Sequence, residues 1–382
     1  MSEIKVNSIK GVGASTAAIT VNNSDGTCAA NLSNRQNRNL VINGAMQVAQ
    51  RGTSSTGLGA SAGYFTLDRY RATFSSTAGR LTMSQVADVH DGFANAMKLE
   101  CTTADTSIGS SEYFILQHKF EGQDLQQLKK GSSDAEEFTV SFYVKGNANA
   151  TYVVEMYDLD NNRQVGKTFS VTTSWTRVVL TFPADTTGAL DDDNAASLQL
   201  GIWLHAGSNY TSGTLATSWV SNVSAQRAGG ITSFFDSTDR TFFLTGLQME
   251  VGSVATDFEH RSFAQELALC QRYYQTIGVG FITACRGASS SQLLYSYTPP
   301  VNMRASPTIS TTATGFHSSF GVRSYRDGSG TSDSTTTPAT VSLYWQEINP
   351  TIHLTQTGFS VTDDRSATIF VNGGAITLSA EL

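Results

Sequence analysis

The sequence is poor in the residues that usually announce chemistry. Only 15% of its 382 residues are charged, and the formal net charge is −7. No run of Lys or Arg occurs, which argues against a nucleic-acid coat, because phosphate binding needs concentrated cations. Cysteine is scarce: Cys28, Cys101, Cys270 and Cys285 are scattered without C-x-x-C spacing. Neither a zinc site nor a small disulfide scaffold is expected from them, and they read as reduced, isolated thiols. No segment approaches the roughly 18 apolar residues of a membrane span, and the opening MSEIKVNSIKGVG has no signal-peptide core. The expectation is a protein made in a cytoplasm, with no signal-peptide export and no membrane insertion.

Catalytic patterns are missing as well. Six histidines, His90, His118, His205, His260, His317 and His353, are dispersed, with no H-E-x-x-H or G-x-S-x-G nearby. The Gly-rich stretches at 11–15 and 57–63 lack the lysine or the βαβ setting of a phosphate cradle, so they read as turns. Carboxylates gather at Asp158-Leu159-Asp160 and at Asp191-Asp192-Asp193-Asn194. Either group could offer oxygens to calcium, but neither has the spacing of a calcium loop, and both read as solvated turns. The expectation is a non-enzyme with no catalytic residue, no metal and no cofactor.

What is plentiful is Gly, Ser, Thr and Asn. With so little charge and six prolines, this composition favours an all-β chain with many turns. Periodicity agrees. Phe138, Val140, Phe142 and Val144 alternate along FTVSFYVKG, and TYVVEMYDL, KTFSVTTSWTRVVLTF, SLQLGIWLHA and TFFLTGLQMEV read as further strands separated by turn-rich segments. NLVINGAMQVAQRG at 39–52 opens like a strand, with Leu40 and Ile42 on one side and Val41 on the other. Short strands with little helix between them argue for a jelly-roll β-sandwich. GQDLQQLKKG, with Leu125 and Leu128 at i, i+3, reads as a two-turn helix stopped at Gly131.

The period changes near residue 261. Phe263, Leu267, Cys270 and Tyr274 fall on one helical stripe, and Ser262 with Gln265 forms a capping-box start, so a helix is expected over about 261–276. Strand patterns return over 279–382, interrupted by a small polar stretch at 326–340 that is expected to be an exposed, mobile loop. The fold class read from the sequence is mainly β: a jelly-roll sandwich, one helix, and a second, smaller C-terminal β-sandwich domain. The expected division is a leader at 1–37, a jelly-roll domain at 38–256, a connecting helix at 257–278 and a C-terminal β domain at 279–382. The leader, two short strands, a Gly-rich turn and a polar connector, is too small to be stable alone and must dock on something.

Aromatics carry the remaining interest. Trp175, Trp203, Trp219, Tyr157 and Tyr210 lie in or beside the jelly-roll strands and loops, where an exposed ring stacks on the apolar face of a sugar while Asn, Asp and Gln bind its hydroxyls. Trp175 and Trp203 sit within strand patterns and are read as core. Tyr210 and Trp219 flank the loop NYTSGTLATSW and are the candidate ligand-binding residues.

Several motifs together resemble a known family. NLVINGAMQVAQRG, then YFTLDRY at 64–70, then LTGLQMEVGSVATDFEHRSFAQELALCQRYYQ at 244–275, are similar to a module of bacteriophage tail-fibre and related virion proteins. In that group an N-x-x-N-G-x-M-x-x-x-Q-R-G start precedes Asp-Arg, a carbohydrate-binding-module-like jelly roll and a helix ending in C-Q-R-Y-Y. YTPPVNMRASPT at 297–308, the ending LSAEL and the leader KVNSIKG, which resembles those of marine phage fibres, fit the same group. The resemblance implies a virion structural protein: a tail fibre or receptor-binding protein for host attachment through surface polysaccharide. It also implies a homotrimer meeting other virion proteins through residues 1–37. The alternatives are a capsid decoration or head-fibre protein and, further off, a polysaccharide depolymerase. Arg51, Asp68 and Arg69 are expected to pair at one end of the sandwich, sealed by Met46, Val48 and Leu67. Phe263, Leu267, Cys270 and Tyr274 are expected to lay the helix across the junction with the last domain.

Overall fold

A computed structural model describes residues 6–10, 12, 19–21, 28–30, 37–278, 282–289, 292–311, 320–325, 331–334, 341–345, 352–357, 366–371 and 375–382; in the strands at 28–30, 282–296 and 320–371, and at 311, only the backbone is described. The chain is mainly β, and two β-sheets form a sandwich. One sheet has six strands in the order Thr176–Phe182, Phe138–Gly146, Thr241–Val251, Ala96–Thr103, Arg80–Val86 and Ser54–Leu58. The other has seven: Val220–Ser221, Arg163–Val171, Ala150–Asp158, Ala196–Ala206, Tyr113–Glu121, Arg71–Ser75 and Gly63–Tyr64. Neighbouring strands pair antiparallel, as Phe138 with Phe182 and Phe142 with Val178 illustrate. The alternation seen in the sequence sends Phe138, Val140, Phe142 and Val144 into the main core, with Leu198, Leu200, Ile202 and Leu204 from the opposite sheet.

GQDLQQLKKG departs from the expected helix. It forms two 3-10 turns, Gly122–Asp124 and Gln126–Leu128, and Lys129 takes a left-handed conformation. At three residues per turn, i and i+3 lie one above the other, so this geometry buries both Leu125 and Leu128.

The segment NLVINGAMQVAQRG is not a strand. Asn43 and Met46 have positive φ, which breaks the pleat, and Val41 is buried while Leu40 and Ile42 are half-buried. Asn43 is the hub: its carboxamide donates to the carbonyls of Val48 (2.8 Å) and Asp68 (3.0 Å) and accepts from the Val48 N–H. Gly44 is required by close approach, since a Cβ there would stand 2.1 Å from the Leu247 carbonyl oxygen. Met46, Val48 and Leu67 are fully buried behind this knot.

The helix spans Phe263–Gln271, shorter than expected, with the Ser262–Gln265 capping box in place. Its buried side is Glu266 and Cys270, whereas Phe263 is 57% exposed and Leu267 half-buried. The stripe is rotated because Glu266 is drawn inward to accept the Asn43 N–H, at 2.5 Å. Tyr274 lies in a strand, Tyr274–Ile277, which pairs with Ile376–Ser379; that strand in turn pairs with Thr308–Thr311.

A second seven-stranded antiparallel sheet runs Thr331–Ser334, Phe320–Tyr325, Ser366–Val371, Ile282–Ser289, Gln292–Tyr297, Ile352–Thr357 and Val341–Trp345. It includes a strand at Thr331–Ser334 inside the stretch read as a loop, paired with Phe320–Tyr325; 326–330 and 335–340 lie outside the described residues. In the leader, Ser8–Ile9, Ile19–Val21 and Cys28–Ala30 form a small sheet, so the expected polar connector contains a third strand. The Gly-rich turn at 13–15 lies outside the described residues.

Candidate functional site

Two constellations gather functional side chains. The first is a joint at one end of the sandwich. Arg51 lies 3.5 Å from Asp68 and 3.0 Å from Glu381, and Arg69 is also paired with Glu381. Each guanidinium is capped by a tyrosine: Arg51 stacks on Tyr274 at 3.5 Å and Arg69 on Tyr273 at 3.4 Å. The Tyr64 hydroxyl donates to the Leu382 carbonyl, and Arg304 ties the Asn194 carbonyl to that of Ala380. Of the three residues expected to pair, Arg51 meets Asp68, whereas Arg69 pairs instead with Glu381 of LSAEL, which Arg51 also reaches. Burial pushes the Asp68 carboxyl up to about 6, against the opposing pull of Arg51 and the hydrogen bonds from Gln50.

The second constellation lies on the outer face of the sandwich's seven-stranded sheet. Residues on alternate positions of four adjacent strands point away from the main core. They are Thr73; Tyr113, Ile115 and Gln117; Val153, Glu155 and Tyr157; and Gln199, Gly201 and Trp203. In register, Gly201 stands between Gln117 and Glu155. A glycine at this crossing leaves the floor open, because a Cβ would stand 3.1 Å from the Ile115 side chain. Around it is a cavity of about 200 Å³ lined by Tyr113, Gln117, Tyr157, Gln199, Trp203, Tyr210 and Arg227, among others.

A charged clamp fixes the lining. Arg227 donates two hydrogen bonds of 2.7 Å to Glu155, whose Oε2 also accepts from the Trp203 indole at 2.9 Å. Its guanidinium lies 4.7 Å from the Tyr157 ring centroid and 4.9 Å from that of Trp203. Burial pulls the Arg227 pKa down, but the Glu155 hydrogen bonds and charge override this and hold it above its ordinary value. Tyr210, in the helical turn Ser208–Thr211, packs edge-on to Tyr113 at 5.4 Å, and Thr73 orients Gln117 through a 2.8 Å hydrogen bond. Burial raises the pKa of both Tyr157 and Tyr210 above the ordinary phenol range, so both present neutral hydroxyls.

The structure separates the two residues expected to bind ligand. Tyr210 lines the cavity. Trp219 does not: it packs on the edge of the main core, donates its indole N–H to the Pro183 carbonyl at 2.9 Å, and carries Lys130 over its ring at 5.1 Å. Trp203, read as core, is fully buried, but in a separate cluster on the outer face of the sheet. The acidic turns are also resolved. Asp158 is buried, and its carboxylate is taken by Lys130 at 2.5 Å and by Asn161, so an ammonium stands where calcium was considered. Asp191, Asp192 and Asp193 are exposed.

Sequence reading missed Gln117, Gln199, Arg227 and Glu155 because only strand order brings them together. The one usable signal was polar residues on the off-beat of otherwise apolar strands, as Gln199 is in SLQLGIWLHA.

No protein-family model and no curated protein matches the chain. Among solved structures, a family 30 carbohydrate-binding module aligns with a TM-score of 0.30 at 11% identity, covering 60% of this chain and 94% of that one. A CBM4 structure aligns with a TM-score of 0.29 at 12% identity, over 55% and 97% respectively. The CBM22-1 xylan-binding domain of Paenibacillus barcinonensis Xyn10C aligns with a TM-score of 0.26 at 14% identity, over 48% and 87%.

Proposed function

We propose that this chain is a bacteriophage virion protein, a tail fibre or receptor-binding protein, that holds host surface glycans against the outer face of its seven-stranded sandwich sheet. The observation that carries the reading is the lining of the 200 Å³ cavity. Tyrosine rings stand beside the amides of Gln117 and Gln199 and the guanidinium of Arg227. A sugar ring has an apolar face bordered by hydroxyls, and this set offers a stacking surface with donors and acceptors at its rim. The cavity is smaller than the roughly 300–1,000 Å³ of a drug-sized site, which suits a short stretch of glycan lying along an open face.

The same geometry favours binding over catalysis. Among the described residues that line the cavity there is no carboxylate, and the nearby Glu155 spends both oxygens on Arg227 and Trp203. Glycoside hydrolysis needs two carboxyl groups flanking the scissile bond. The virion setting rests on the motif resemblance. In this reading residues 1–37 anchor the chain to other virion proteins, 38–256 carry the glycan site, 257–278 connect, 279–382 form a second β domain, and the assembly is a homotrimer.

The test is binding of the purified chain, its oligomeric state checked by light scattering, to intact host cells and to their extracted surface polysaccharide. A Tyr157→Ala/Gln199→Ala variant is measured alongside. Saturable binding that the variant loses is the expected result. A trimer that binds neither would point to capsid decoration instead, and a stable monomer at micromolar concentration would remove the fibre assignment.

A further inference from the structure

Asp105, Glu112 and His205 lie far apart in sequence and meet at one end of the sandwich. One ligand atom from each falls within 4.8 Å of the other two. All three are held in place. Asp105 Oδ2 accepts from the Thr77 hydroxyl at 2.7 Å and the Ala78 N–H at 2.8 Å, which leaves Oδ1 for another partner. The Glu112 backbone is tied to Gly109 and Gly207. His205 is fully buried, with Nδ1 2.8 Å from the Ser233 hydroxyl and the ring edge-on to Phe235. With Nδ1 engaged, Nε2 faces the carboxylates, 3.5 Å from Glu112 Oε2. Neither of these two buried atoms has a hydrogen-bond partner among the described residues.

Two facing carboxylates with a buried imidazole need a shared proton or a cation between them. At Asp158 that need is met by Lys130. Here no Lys or Arg acts on any of the three groups; the charges that act on them are each other's, and Asp105 and Glu112 share a side-chain hydrogen bond whose proton a bound cation would replace. Ligands about 2.0–2.2 Å from a tetrahedral ion lie about 3.3–3.6 Å apart, and the Nε2 to Oε2 separation fits.

We propose that Asp105, Glu112 and His205 bind a divalent transition-metal ion, zinc in the first instance, with water completing the shell. An imidazole among the ligands selects zinc over calcium, which takes six to eight oxygens. The ion cross-links the two sheets: Asp105 follows the strand Ala96–Thr103 of one, while Glu112 precedes Tyr113–Glu121 and His205 lies within Ala196–Ala206 of the other. Ser233 and Thr77 orient two of the ligands, as supporting residues do at metal sites. The site is separate from the cavity reading and stands or falls without it.

The experiment uses the full chain, stripped with chelator and then titrated with zinc chloride. Bound metal is counted by mass spectrometry, and the thermal midpoint is followed. One zinc per chain and a rise in Tm are expected. Glu112→Gln keeps the side chain's shape and is expected to weaken binding by more than the roughly 10–100-fold that a supporting residue costs, whereas Ser233→Ala falls within that range. A folded wild-type chain that retains no zinc overturns the proposal. So does a Glu112→Gln chain that binds as tightly as wild type, since the ion would then lie elsewhere.

Discussion

The joint and the cavity are built from the same parts, one closed over and one open. Each sets arginine against carboxylate and tyrosine. At the joint, Arg69 is 1% exposed, enclosed between Glu381, Tyr273 and the Lys119 carbonyl. On the sheet face, Arg227 is clamped to Glu155 while Tyr157 and Tyr210 stay half-buried around an opening. The chemistry of the side chains does not separate a closed lock from an open face. What separates them is whether another segment, here residues 380–382, is laid over the top.

That contrast can be broken in three ways. The largest effect belongs to the joint. Arg69→Ala leaves Glu381 without its main partner and is expected to cost about 3–5 kcal/mol, the usual penalty for stranding one member of a buried pair. Urea unfolding measures it, and glycan binding by the fraction that remains folded should be unchanged. Next comes pH. Folded Asp68 keeps its proton up to about pH 6, whereas the ordinary value is 3.8. The unfolded chain therefore ionises first, and this group's contribution, present at low pH, is lost as pH rises from about 4 to 6. With each pKa unit worth about 1.4 kcal/mol, wild type should lose up to about 3 kcal/mol over that window relative to Asp68→Asn; parallel curves for the two would refute the burial argument. The smallest expected effect lies on the sheet face. Tyr157→Ala should weaken glycan binding by about 2 kcal/mol, as loss of a contact anchor does, and shift stability by only about 0.5 kcal/mol. Equal losses in both would mean the cavity is simply another joint.

Much of the fold was legible in the sequence, for a physical reason. Alternation along FTVSFYVKG and TFFLTGLQMEV records which side of a strand meets the core, and the Ser262–Gln265 capping box records where a helix begins. The joint was half legible: Arg51, Asp68 and Arg69 stand out as charges in a low-charge chain, but Glu381 lies over 300 residues away, and nothing local marks it as their partner. Of the expected stripe, Cys270 and Tyr274 are buried and Phe263 is not, because one buried carboxylate, Glu266, outweighed the apolar ring. On the sheet face, Tyr210 could be picked from its loop, while Trp219 looked the same and went to the core edge. Arg227 and Gln199 acquire meaning only through strand order. His205, Asp105 and Glu112 are in the same position.

The strand order also governs timing. Thr241–Val251 lies inside the six-stranded sheet, between Phe138–Gly146 and Ala96–Thr103, although it is the last strand of the sandwich to be synthesised. A growing chain thus holds two half-sheets with open edges until roughly two-thirds of it has emerged, and pairings so distant in sequence form slowly. The arginines at 51 and 69 wait longer still, for residue 381. A chain interrupted anywhere before that residue leaves both guanidiniums without Glu381.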